Sequence, residues 1–484
     1  MTQPQVTITE LDGSLGVLPP SAGRLFALVG ASSSGTQNTP ATYAKVNDVV
    51  AAFGSGPLVE AAAHYIERYG KPVVLVRTGN TVAGAVGSVT SVATGSATVA
   101  VASSPTPNDD YELYLEIVNG GTVGVAGITY RTSLDGGRTK SAVTALGTAT
   151  SVTFAGAGGV SFTLESAETL DAGDVHTARS TAPQWNASEL GTALDALAAS
   201  LASWEQCHIV GPLDATSFDT VETKLAAMAA AGKYRNWIGN VRVPTVGETE
   251  SAYLTSVGGV FSSKTTKHGA LCYGACKLTS SVSGRKYKRP IAFPIAAREA
   301  NVSEEINIAD VNIGTLEGVS IRDVNGNADE HDESLNPGAD DARFLTLRTW
   351  DGIPGVYVNR PRLFSSDTSD FQLIPHRRVL NLAHNALRLY FIRRLNSPIL
   401  VNEATGFILE SEALEIEAGA RAAMRSELLA KPKASAVQYT LSRTDNLLST
   451  KTLNGQARVT PLAYPEFINL DVGFFNPALQ VQAV

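Results

Sequence analysis

The 484-residue chain reads as a mixed α/β protein (α+β in places) that carries an inserted all-β domain and extended terminal arms. Three observations predict this. Residues 24–30 (RLFALVG) and 72–77 (PVVLVR) are apolar runs of buried-strand type on either side of a helical pattern over 58–69, and strand, helix, strand is how an α/β core begins. From about 79 to 182 the texture changes to Gly, Ser, Thr and Val in short alternating runs with few charges, the pattern of an all-β insertion. Both ends of the chain contain alternating segments, so each predicts a strand-forming arm.

Taken in order, residues 1–20 are the N-terminal arm. Val6, Ile8 and Leu11 are the apolar positions of its one short strand, and the following GSLGVLPPSAG is a tether that cannot enter a helix or a central strand. The α/β domain is discontinuous, 21–78 and 183–340. Its first part holds the strand at 24–30, the small-residue loop ASSSGTQN and the helix at 58–69, with Leu58, Ala61, Ala62, Tyr65 and Ile66 at helical spacing. After the insertion at 79–182 the pattern resumes with helices at 188–203 and 216–231 and strands at 207–210 and 237–243. A strand-rich stretch at 266–300 and a polar segment at 301–340 complete it. The C-terminal core domain, 341–465, opens with FLTLRTW and VYVNR around the turn DGIPG, a hairpin pattern. A long amphipathic helix, HRRVLNLAHNALRLYFIRRLN, follows, then a second helix at 409–430 that Pro432 ends. Residues 466–484 are the C-terminal arm, with Phe467, Ile468, Leu470, Val472, Leu479 and Val481 as its pairing positions.

On a wheel of about 100° per residue, Leu380, Leu382, Ala383, Leu387, Leu389, Tyr390 and Phe391 of the long helix share a broad apolar arc. Arg377, Asn381, His384 and Arg388 form a polar stripe opposite. Such a stripe is a solvated face or a docking surface for an acidic partner. A helix held firmly on a sheet would present its arginines with more geometric precision than a loop could.

Net charge is −8 and charged residues make up 17%, below the usual quarter. Sparse charge suggests surfaces buried against copies of the same chain, and the missing basic footprint argues against direct nucleic-acid binding. Cys207, Cys272 and Cys276 are an odd number in a long chain, so no disulfide framework is expected and a reducing compartment is the simpler inference. The opening MTQPQVTITE lacks the features of a signal peptide, and no apolar run reaches membrane-spanning length, so a soluble chain without membrane insertion is expected.

Few segments invite chemistry. GASSSGT (30–36) has the glycine spacing of a phosphate loop without the lysine that reaches the phosphates, and reads as a Ser/Gly turn. DVNGNADEHDE (323–333) departs from calcium-loop ligand spacing and reads as a solvated acidic loop. His268, Cys272 and Cys276 lie in a strand pattern, where four-residue spacing separates them along one face, so they read as buried small residues. No zincin motif, nucleophile elbow or paired histidine appears. No catalytic residue, metal or cofactor is expected.

The succession FLTLRTWDGIPGVYVNRPRLFSSDTSDFQLIPHRRVLNLAHNALRLYFIRRLNSPIL resembles the core domain of contractile phage tail sheath proteins, most specifically over 344–474, and the order from arm to arm fits the same tail-sheath-like plan. The resemblance implies a non-enzymatic virion tail protein, made in the host bacterial cytoplasm. Its subunits would stack as hexameric rings into a helical sheath around the tail tube protein. Baseplate and tail terminator proteins would be further partners, and contraction would drive the tube through the host envelope. The arms, through the positions named above, would add strands to neighbouring copies, and Arg377, Arg378, Arg388, Arg393 and Arg394 would face an acidic inner tube. Two other readings are a sheath-like tail terminator or baseplate collar, and an α/β hydrolase or transferase with a β-sandwich accessory domain. The mark of the second would be a convergent nucleophile and base.

Overall fold

The computed structural model describes residues 25–322 and 329–474, so Val6, Ile8, Leu11, Leu479 and Val481 lie outside the described residues. The chain divides into two compact units, Met1–Arg388 and Leu389–Val484.

The first unit is built on a six-stranded sheet. Its strands are β1 (Leu25–Gly30), β2 (Ala41–Tyr43), β3 (Val73–Arg77), β4 (Trp204–Leu213), β5 (Asn236–Val241) and β6 (Gly269–Cys272), in the order β6-β5-β4-β1-β3-β2. All neighbours are parallel except the edge strand β2, which runs antiparallel to β3. A parallel sheet with helical crossovers is covered on both faces, so its strands lose the polar half of the usual alternation. In β1, Phe26 and Leu28 enter one core while Ala27 and Val29 enter the other; in β3, Val73 and Leu75 are divided from Val74 and Val76 in the same way. RLFALVG and PVVLVR are unbroken apolar runs for this reason.

Helices α1 (Val46–Phe53), α2 (Pro57–Tyr69) and α6 (Ala292–Asn301) line the first core, and α3 (Ala187–Ala199), α4 (Ala215–Ala230) and α5 (Glu250–Phe261) the second. Capping boxes open α3 (Asn186 with Glu189) and α4 (Asp214 with Ser217), which satisfies the free amides of their first turns. The strand-rich expectation for 266–300 holds only as far as Pro290; beyond it lies α6. Every residue from Ala292 to Ala300 is buried, so this helix has no polar face to mark its period.

The insertion has its own core. Its long strand Glu112–Asn119 lies antiparallel between Thr129–Ser133 and Val175–Thr181 and turns Leu113, Leu115 and Ile117 inward. Phe154 and Phe162 meet edge to face at 4.7 Å in the same core. The expected hairpin is β7 (Leu347–Trp350) paired antiparallel with β8 (Ile353–Val358). Leu347, Val356 and Val358 join the first core of the α/β sheet, so the boundary expected at 340/341 falls inside one continuous core.

Helix α7 (Ile374–Ile392) carries the chain across the division between the units. In the second unit, α8 (Glu410–Leu428) packs on a two-stranded sheet of β9 (Ala434–Leu441) and β10 (Gly455–Pro461). Ala413, Ile416, Ala420, Met424 and Leu428 form the buried face of α8, as the sequence register predicted.

Candidate assembly surfaces

The arginines of α7 and of the turn that follows it divide into two groups. Arg377 and Arg378 are only 3% and 2% exposed, and Asn381 is fully buried, whereas Leu389 is 57% exposed. Over the first half of the helix the stripe read as polar faces the protein interior, and Leu382 and Ala383 of the apolar arc are buried as well. The tube-facing role expected of Arg377 and Arg378 is therefore corrected: neither is presented to a partner.

Arg378 is a structural ion. Its Nε donates to Glu205 Oε1 at 3.0 Å, its Nη1 to Glu299 Oε1 at 2.8 Å, and its remaining hydrogens reach the Glu299 and Val302 carbonyls. These contacts tie the start of α7 to β4 and α6. Burial works against its charge, but the two carboxylates outweigh that and hold it ionised; burial raises the Glu299 carboxyl, with Arg378 pulling the other way. Arg377 has no such pair: burial lowers its pKa, Glu222 opposes that only at a distance, and its Nε has no hydrogen-bond partner among the described residues.

Arg388 and Arg393 are exposed, and Arg394 is half-buried and paired with Glu415 at 2.9 Å. Of the five arginines, Arg388 and Arg393 alone present an open guanidinium side chain. Near them Leu389, Ile392 and Leu395 are exposed along the same chain segment, and of these the wheel assigns Leu389 to the apolar arc.

The second unit holds the other candidate surface. Val437, Tyr439 and Leu441 of β9 turn inward, while almost every residue of β10 is exposed. Each strand pairs with the other alone, which leaves the outer backbone edge of both unpaired among the described residues. Arg443, just after β9, binds Glu410 through Nε and Nη2 at 2.7 and 3.0 Å and Glu417 through Nη1 at 2.7 Å, locking the sheet to α8. Glu417 also accepts the Leu441 amide at 2.8 Å.

Beyond β10 the chain runs without secondary structure through residues 462–474. Phe467, Ile468, Leu470, Val472 and Phe474 are between 71% and 111% exposed. Five large apolar side chains in eight residues, uncovered on a segment of strand-like alternation, form an unpartnered edge.

Two buried clusters fix the surroundings. Arg289 makes a bidentate pair with Asp109 at 2.7 and 2.8 Å and so locks the entry of the insertion to the α/β body. Residues 330–333, expected in a solvated acidic loop, are buried, which corrects that reading. The reason is pairing: His331 meets Glu250 at 3.1 Å through Nδ1 and Glu333 at 3.0 Å through Nε2, and Asp332 accepts from Arg322, Ser334 and Thr349. Burial disfavours the imidazolium, but its hydrogen bonds to Glu250 and Glu333 outweigh burial and lift its pKa to about 9. Cys272 and Cys276 are buried, as expected, but in successive strands; His268 faces Glu222 at 3.2 Å. Among the described residues no group of three His, Cys, Asp or Glu side chains is placed to hold a metal, and no helix is long and apolar enough to cross a membrane.

A discontinuous α/β body with a β insertion, followed by a small helix-backed sheet and an unpaired apolar segment, is the fold of contractile sheath proteins. The sheath of the anti-feeding prophage in its contracted state superposes with a TM-score of 0.52 at 12% identity, covering 98% of this chain and 99% of that one. The contracted sheath complex of an extracellular contractile injection system, PVC, gives 0.52 at 11% identity and 98% of both chains. A chain of the six-fold symmetrised anti-feeding prophage baseplate gives 0.50 at 12% identity, with 98% and 100% covered. The family model described as DUF2586, N-terminal domain, matches residues 3–362, and the chain belongs to that family. No curated protein matches it.

Proposed function

We propose that this protein is the structural subunit of a contractile sheath, stacking as hexameric rings around an inner tube and contracting to drive that tube through a host envelope. The observation that carries this reading is the pairing of needs in the second unit: a two-stranded sheet with both edges open, and an exposed apolar segment at 467–474, neither with a strand partner among the described residues. Strand addition between copies satisfies both, because main-chain hydrogen bonds close the edge while alternate side chains fill the sheet face. Residues 2–11 and 466–481 are the arms that would be exchanged. Tail tube, baseplate and terminator proteins are the remaining partners of such a machine, and Arg388 near the end of α7 and Arg393 just beyond it are the side chains left to meet an acidic tube. The match to a baseplate chain favours a collar as the second reading.

Electron microscopy of the purified full-length chain tests the proposal. Long hollow tubes are expected, closed rings would favour the collar, and monomers at high concentration would count against both. Removing residues 462–484 is expected to leave a folded monomer that forms no tubes; normal tubes from the truncated chain would overturn strand exchange by this arm.

A further inference from the structure

The loop GASSSGT lacks the lysine of a phosphate loop, yet it lines a cavity of about 260 Å³ beside Pro57 at the start of α2, where the insertion meets the body. The position is the carboxyl end of β1, between β3 on one side and β4 on the other, and open α/β sheets hold ligands at such points of reversal. Pro57, Pro105, Pro107 and Pro183 supply much of the wall, so its shape is set by rings of fixed backbone angle. At Gly56, with φ at +118°, a Cβ would lie 3.2 Å from the Asn108 carbonyl and 3.3 Å from Ser32 Cα, so loop and insertion abut beneath the cavity. The loop is held in place as well: the Ser55 amide donates to Ser33 Oγ at 2.9 Å, and Asn108 Nδ2 donates to Ser55 Oγ at 2.8 Å.

No side chain of the wall carries a charge, so an anionic ligand would find no counter-ion there. Asn80, also on the wall, makes no side-chain hydrogen bond among the described residues and offers an amide donor and acceptor side by side. A cavity of roughly 150 Å³ accommodates benzene, and drug-sized ligands begin at about 300 Å³, so the volume suits a single substituted ring. We propose that this cavity binds a small uncharged ring compound bearing an amide-like edge, with the ring among the prolines and the edge on Asn80.

Benzamide is the probe, followed by ligand-observed NMR titration of the full-length chain. Saturable binding is expected, with the isosteric but anionic benzoate at least about tenfold weaker because a charge enters the cavity unpaired. Ala83→Trp, at the exposed rim, should abolish binding, and Asn80→Leu should weaken it about fivefold, one net hydrogen bond. Val92→Trp, elsewhere on the insertion surface, should leave binding unchanged, and circular dichroism establishes that each variant is folded. No saturable benzamide binding, equal binding of benzoate, or unchanged binding by folded Ala83→Trp would each overturn the assignment.

Discussion

The two units treat their polar and apolar groups in opposite ways. The body up to Arg388 covers both faces of its sheet and pairs buried charge with buried charge, as Arg378 does with Glu205 and Glu299 and Arg289 with Asp109. The unit from Leu389 onward leaves two sheet edges open and five large apolar side chains uncovered between Phe467 and Phe474. The first pairs its own buried groups, and the second, on the proposed function, is completed by a neighbouring copy. Mutations in the body should therefore register as lost stability, and mutations in the second unit as lost assembly.

The largest expected effect on stability is at Arg378. Arg378→Ala leaves two buried carboxylates without their cation and should cost about 3–5 kcal/mol, measured by urea unfolding. A cost below about 1 kcal/mol would mean that the buried network does not carry the body. Arg289→Ala should cost somewhat less overall, since its pair joins two lobes that each keep their own core. Limited proteolysis should then cut first near residues 105–111, and unchanged protection there would break the picture of an insertion held fast by this pair.

His331 gives a pH signature confined to the body. Its pKa rises from 6.5 to about 9 on folding, so the folded state binds the proton more tightly. The stabilisation is complete below about pH 6.5 and disappears as pH climbs through the folded value of about 9. His331→Gln should flatten thermal stability across that window, and an unaltered pH profile would exclude the histidine as its source.

Phe467→Ser with Val472→Ser should change stability by less than about 0.5 kcal/mol, as exposed positions do, while tube formation in the microscope falls sharply. Arg388→Glu should have the smallest effect of all on the isolated chain, and a loss only of assembly on the tube. If the first pair destabilises the monomer as Arg378→Ala does, the contrast between the units fails.

Much of this architecture was legible from residue order. Doubly covered strands announce themselves as unbroken apolar runs, and α8 showed its buried face because Ala413, Ile416, Ala420, Met424 and Leu428 contrast with polar neighbours. The interior of α7 was not legible, because a wheel scores arginine as surface whatever faces it. The partners that bury Arg378 are 173 and 79 residues away in sequence. A signal was present in β4, where Glu205 and Gln206 sit inside an otherwise apolar strand, a placement tolerated only with a partner. The buried loop at 330–333 was missed for the same reason: Glu250 pairs with His331 from 81 residues upstream. The alternation at 467–474 is legible in the sequence, but the segment carries no secondary structure, and what would pair with it is information that no alternation can supply.

The place of β1 in the sheet also dictates an order of events during synthesis. β1 is bonded on one side to β3, whose residues follow within fifty positions, and on the other to β4, which the ribosome delivers only after the whole insertion. The insertion, with its own core, can close first as a local unit, while β1 waits with an apolar edge bare. Such a long-range parallel closure is slow. Chains halted between residues 182 and 204 are thus the ones most exposed to aggregation, and the β1 amides that face β4 gain protection from hydrogen exchange only once β4 has emerged.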